Sequence, residues 1–157
     1  MTMKLKEIMT EDVEVVRPDD TLYDAANKMR TLDVGALPVC DGQRLVGMLT
    51  DRDLTVRAVA DGRDPRTALV RDSMTPEMAW CFEDQTATEA ERLMAERQIR
   101  RLPVLDRDKR LVGIISLGDL ATKTAGMRAV GKTLEKVSEP DRGRRAQLSA
   151  SLLGEPQ

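Results

Sequence analysis

A chain of 157 residues, 41% apolar and 33% charged, has the make-up of a globular protein, sized for one compact body or two half-size units sharing a core. Its net charge of −2 supplies no basic field for nucleic acid or a membrane surface. Having no histidine, it lacks the commonest general base and the commonest metal ligand.

From Met1 to Glu11 charged and apolar residues alternate, with no apolar core of a signal peptide. No run approaches 18 apolar residues, so no membrane span is expected. Val13 to Val16 reads as a short strand. Thr21, with Asp24 three residues on, opens a helix through a capping box, and Leu22, Ala25, Ala26, Met29 and Leu32 follow helical spacing. A strand over Ala36 to Cys40, a tight turn at Asp41-Gly42 and a return strand over Leu45 to Thr50 make a hairpin. Thr50 and Asp53 then cap a closing helix that ends at Gly62, before a linker reaching Arg71 and holding Pro65.

The pattern then starts again. Met9-Thr10 recurs as Met74-Thr75, 65 residues on, and at that offset Thr21 meets Thr86, Ala25 meets Ala90 and Met29 meets Met94. Leu37-Pro38-Val39 meets Leu102-Pro103-Val104; after one inserted residue, Arg44-Leu45-Val46-Gly47 meets Arg110-Leu111-Val112-Gly113, and Asp53-Leu54 meets Asp119-Leu120. Order kept across the unit with one gap marks a duplication. The second copy therefore predicts a strand over Met78 to Phe82 and a helix opened by Thr86 and Glu89. A hairpin over Leu102 to Leu105 and Leu111 to Ser116 follows, with its turn at Asp106 to Lys109. The closing helix starts at Ser116-x-x-Asp119 and runs on towards Val137, weakened by Gly126 and Gly131. Ser138 to Gln157, with Arg142, Arg144 and Arg145, reads as a mostly disordered tail with one helical turn around Leu148 to Leu153.

The expected fold is α+β: two tandem β-α-β-β-α units about a pseudo-two-fold axis. Their boundaries are 1–64 and 65–125, with 126–157 a helical extension and tail. A unit of ~60 residues with a small sheet is marginal alone. Two copies bury their bare faces on each other, leaving two clefts where they meet.

Gly35-Ala36-Leu37-Pro38-Val39 through Leu45-Val46-Gly47-Met48-Leu49-Thr50-Asp51-Arg52-Asp53-Leu54, and Arg101-Leu102-Pro103-Val104 through Leu111-Val112-Gly113-Ile114-Ile115-Ser116-Leu117-Gly118-Asp119-Leu120, closely resemble the cystathionine-β-synthase (CBS) domain. Its tandem form is the Bateman module. The resemblance covers residues 4 to 125, and with no catalytic domain beside it the chain looks like stand-alone bacterial two-CBS proteins of the hypoxic-response kind. It implies a regulatory module for an adenosine-containing ligand: AMP, ADP or ATP, less readily NAD or S-adenosylmethionine, with no catalytic cofactor. It further implies a homodimer, an unidentified regulated protein partner and no catalysis.

Carried over by motif, Thr50 with Asp53 and Ser116 with Asp119 hold ribose hydroxyls, while Met48 and Ile114 lie against adenine. Thr10 to Val13, and Thr75 with Met78 and Ala79, form the opposite adenine wall from the partner copy. Arg100 and Arg101 face phosphate, where the first copy has only Gly35 and Ala36; Arg52 or Arg57 would have to substitute there. The chemistry is sound: a carboxylate accepts two hydrogen bonds from a vicinal diol, and an arginine fork suits phosphate oxygens.

Plainer readings stand beside these. Both Thr/Ser-x-x-Asp motifs suffice as helix caps without a ligand. Arg100-Arg101 also suits a solvated strand edge, and Met9 and Met74 suit packing. Cys40 and Cys81, too few for a zinc cage, too far apart for a CxxC pair and placed differently in the two copies, read as small buried hydrophobes in a reducing cytoplasm, without a redox role or a metal. A ligand-free structural or interaction protein is the alternative function. An enzyme would need a constellation that the chain does not display, lacking His, a P-loop and a GxSxG elbow.

Overall fold

Both long helices start on a threonine, as their spacing requires. The computed structural model describes residues 3–76, 78–124 and 134–138, with α1 at Leu22–Leu32 and α3 at Ala87–Arg97. Thr21 and Thr86 each accept the backbone N–H three residues on, at 3.2 Å. The reciprocal bond forms at Thr86, whose N–H donates to the Glu89 carboxylate; at Thr21 only the first half of the box forms. Both helices end on a left-handed residue, Asp33 and Gln98, each with φ 54°. The next residue's N–H then bonds back into the last turn, Val34 to Met29 O and Ile99 to Met94 O, at 3.0 Å each.

The hairpins follow. Strand β1 (Ala36–Asp41) pairs antiparallel with β2 (Arg44–Thr50), turning on Gly42 at φ 64°. Strand β4 (Arg101–Leu105) pairs likewise with β5 (Leu111–Ser116), and both hairpins shift register at matching places, Val39/Cys40 and Val104/Leu105. The opening strands are shorter than expected. Strand β3 spans only Cys81–Phe82, parallel to β4, and the Val13 to Val16 stretch reduces to one bridge between Val16 and Val39. In that first stretch only Val16 is buried, and Asp12 at φ 53° turns the chain just before it. Apolar character alone overstated both strands.

Thr50 caps α2 (Asp51–Asp53), which continues as a π-helical turn over Leu54–Val59 and stops at Gly62, φ 67°. Ser116 caps α4 (Leu117–Lys123). The expected run to Val137 is interrupted, because Thr124 is extended (φ −116°, ψ 150°); helix resumes at 134–138. The tail from 139, together with Gly126 and Gly131, lies outside the described residues.

Two cores result, and each borrows from the other copy. Leu5 and Ile8 are buried among second-copy residues such as Ala90, Met94, Leu102 and Ile115. Val70 is buried with first-copy residues such as Leu22, Leu37 and Leu49. Backbone bonds lock the exchange: Leu5 N–H to Gln85 O and Ala87 N–H to Met3 O on one side, Val70 N–H to Asp20 O and Leu22 N–H to Ala68 O on the other. The short 3-10 turns Leu5–Glu7 and Val70–Asp72 carry these crossing residues.

Candidate functional site

Just past each crossing turn, the chain runs beside the other copy's hairpin. Thr75 exchanges two backbone hydrogen bonds with Met48, at 2.8 and 3.0 Å, and Thr10 does the same with Ile114, at 2.9 and 3.0 Å. The approach depends on glycine: a Cβ on Gly47 would stand 2.8 Å from Met74 Sδ, and one on Gly113 would stand 2.5 Å from Met9 Sδ. Met9 and Met74 are therefore packing residues, each seated over a glycine of the other copy.

A cleft opens beside each bridge. The larger, ≈ 450 Å3, joins Met48 and Thr50 of the first copy to Thr75, Met78, Ala79, Arg100 and Arg101 of the second. Its counterpart, ≈ 270 Å3, joins Ile114 to Thr10 and Val13. Arg101 and Ala36 line both, so the pseudo-axis runs between the clefts.

Asp53, Ser116 and Asp119 line neither cleft. They make capping boxes: Thr50 N–H donates to Asp53 Oδ2 at 2.9 Å and Asp53 N–H to Thr50 Oγ1 at 3.0 Å, with the same pair of distances at Ser116 and Asp119. The remaining oxygens meet a cation one turn on, Asp53 Oδ1 at 3.8 Å from Arg57 Nε and Asp119 Oδ1 at 3.7 Å from Lys123 Nζ. Those cations reach the crossing segments, Arg57 donating to Met74 O at 3.1 Å and Lys123 to Ile8 O at 3.0 Å. Each cap carboxylate is thus linked through one side chain to the segment that walls its cleft. Its Oδ1, engaged only by a long ion contact, retains acceptor capacity.

The clefts differ in charge. The larger contains Arg97 as well as Arg100 and Arg101, and we call it the arginine cleft. The smaller has Leu32 and Ala36 at the positions of Arg97 and Arg101, and it sets Asp12 and Glu14 beside the shared Arg101. Arg52 and Arg57 line neither. Arg97 and Ile99 were not singled out from sequence, nor were Asp12 as an acidic group, Glu14, Leu32 and Val34. A signal existed for one of them: α3 breaks its apolar spacing at Arg97, where α1 has Leu32.

Neither cysteine offers chemistry. Burial pushes both thiols up to about 11, aided at Cys81 by the Glu89 charge, so both stay protonated and inert near neutrality. Among the described residues no three His, Cys, Asp or Glu side chains gather as a metal site, and no helix is long and apolar enough to cross a membrane.

Two units exchanging their leading segments around paired clefts are the architecture of a tandem module, and the CBS domain family matches the chain twice, over residues 5–59 and 70–126. The chain belongs to that family. The CBS domain-containing protein YhcV of Bacillus subtilis is 41% identical over 134 residues, 85% of this chain and 94% of that one. Hypoxic response protein 1 of Mycobacterium tuberculosis is 40% identical over 117 residues, 74% of this chain and 81% of that one. The crystal structure of Hypoxic Response Protein I with two coordinated zinc ions superposes with a TM-score of 0.71 at 38% identity, covering 78% of this chain and 99% of that one. That of CBSX2 in complex with AMP gives 0.68 at 28% identity, covering 80% and 98%. The zinc ions are a feature of that crystal structure; this chain has no histidine, and its two thiols are buried in unlike places.

Proposed function

We propose that this protein is a non-catalytic regulatory module that senses an adenosine-containing ligand, AMP- or ATP-like, between CBS units 1–64 and 65–125. The observation that carries the reading is the arginine cleft: three guanidinium groups beside an apolar wall of Met48, Met78, Ile99 and Pro103. Such a cleft offers an adenine a dry face and a phosphate its counter-charge. The AMP complex of CBSX2 supports the same ligand class. Thr50 stands at this cleft to meet a ribose hydroxyl, with Asp53 behind it as acceptor; Ser116 and Asp119 hold the equivalent places around Ile114. NAD and S-adenosylmethionine are secondary candidates.

The smaller cleft sets Asp12 and Glu14 against the single shared Arg101, so it favours an anion far less than the arginine cleft does. Of these two clefts, only the arginine cleft is therefore expected to hold a nucleotide. Occupancy would act on a protein partner through the Asp53–Arg57–Met74 link, which joins the cap to the crossing segment. Val56 and Val59, 51% and 71% exposed, suit the face of a homodimer in the cytoplasm. The charge of the smaller cleft also favours, for that cleft alone, a purely structural role.

Thermal unfolding against AMP, ADP, ATP, NAD and S-adenosylmethionine tests the proposal. A ligand at a thousandfold excess over Kd adds about 4 kcal/mol, which raises Tm by roughly 8–16 °C for a chain of this size. Calorimetry with AMP should show a site in the arginine cleft that is lost in Arg100→Ala. A Tm indifferent to all five compounds would rule the reading out.

A further inference from the structure

A further cleft lies at the turn end of the hairpins, away from both helix caps. It encloses ≈ 530 Å3 between Arg44, Arg97, Lys109 and Trp80, floored by Leu45 and Leu105. That is ample for a small molecule. Its three cations are uncompensated: among the described residues none of them carries an ion pair or a side-chain hydrogen bond. Asp84 is engaged by Arg107 at 2.8 Å, and Asp106 and Asp108 by Arg110 at 3.0 and 3.2 Å, while Asp41, opposite Arg44 in the hairpin register, forms no ion pair with it. Like charges left together around a concavity raise a local positive potential that an anion relieves.

The indole is held in place. Trp80 meets Phe82 edge-on, with centroids 4.8 Å apart, and Arg107 covers the Phe82 ring at 4.1 Å while gripping Asp84 with two hydrogen bonds. A ring so buttressed is a ready stacking surface. The duplication supplies an internal comparison. The equivalent cleft in the other half, ≈ 280 Å3, has Val15 where this one has Trp80 and Gln43 near the place of Lys109, and it contains Asp12. The fold alone therefore demands neither the cations nor the indole.

We propose that this cleft is a second binding site, separate from the nucleotide reading above, for a small multiply charged anion bearing a planar ring. The charges meet Arg44, Arg97 and Lys109, and the ring lies against Trp80. Arg97 and Met78 also line the arginine cleft, so the two sites adjoin and are coupled through one shared guanidinium.

Trp80 is the only tryptophan, so its emission reports this cleft directly. The full chain, with AMP in excess, is titrated with GTP as a ring-bearing polyanion and with inorganic tripolyphosphate as its ring-free counterpart. Saturable quenching by GTP is expected, weakened by added salt, with tripolyphosphate bound roughly tenfold or more weakly for want of the stacked ring. The signal should vanish in the double variant Arg44→Ala/Lys109→Ala, both solvent-exposed positions, and survive in Arg100→Ala. Unchanged emission, quenching that persists in the double variant, loss of quenching in Arg100→Ala, or equal affinity for tripolyphosphate would each overturn the assignment. AMP-dependent thermal stabilisation, measured on the same variants, reports the other cleft independently.

Discussion

Gly47 and Gly113 decide how closely the copies meet. A methyl group on Gly113 would lie 2.9 Å from the Thr10 carbonyl oxygen as well as 2.5 Å from the Met9 sulfur; on Gly47 the corresponding distances to Thr75 O and the Met74 sulfur are 3.1 and 2.8 Å. A methionine end swings aside, but the carbonyls are held in the cross-copy bridges. Gly113→Ala is expected to destabilise the protein by about 1–3 kcal/mol and Gly47→Ala by less, read as shifts in urea midpoint at unchanged slope. The cysteines give a second prediction. Their thiols, raised from 9.0 to about 11, favour the folded state below pH 9. As pH climbs from 9 to 11 the unfolded thiols ionise first, so that stability is lost across this window. Cys40→Ala/Cys81→Ala should flatten the alkaline arm of a stability–pH curve. In the unsubstituted protein, iodoacetamide at pH 8 should label neither thiol until denaturant is added.

The four threonine or serine caps look alike in sequence, yet they sit in different settings. Those at Thr21 and Thr86 start α1 and α3. All four residues are half-buried and near cross-copy bridges, Thr21 with Leu69 and Thr86 with Lys4, but only Thr50 lines the arginine cleft. Thr50→Ala and Ser116→Ala should each cost about 1 kcal/mol without any ligand present, measured by chemical denaturation. Comparing Thr50→Ala with Thr21→Ala separates cap from contact, because only the former should also weaken AMP binding. The π-helical turn that follows Asp53 is a local departure of the kind often found at functional sites. Here it lies on the helix whose Arg57 reaches Met74, and it is absent from the matching α4, which is a regular helix.

Across the molecule, stability depends on segment exchange. Leu5, fully buried, belongs by sequence to the first copy and by packing to the second. Leu5→Ala should therefore cost about 2–5 kcal/mol, and most of that loss should appear as weakened hydrogen-exchange protection in β4 and β5 rather than in β1 and β2. The fragment 1–64 alone leaves Leu5 and Ile8 without their neighbours and lacks Val70. It should give no cooperative thermal transition, and a sharp one would show that the exchange is dispensable.

The helices, hairpins and caps were legible because each is written in contiguous residues: a threonine three before an acid, a glycine at a turn, apolar side chains at helical spacing. The duplication was legible for the same reason, since it is a comparison of the chain with itself. The shortened opening strands were not, because apolar character marks burial without saying whether a partner strand lies alongside. Nor could residue order reveal that Met9 seats over Gly113, that Arg97 joins Arg100 in one cleft while Leu32 faces Asp12 in the other, or that Trp80 stands beside Lys109. Met9 and Gly113 meet only because one copy packs against the other, and the remaining groupings are set by how each copy's chain folds back on itself; residue order states neither.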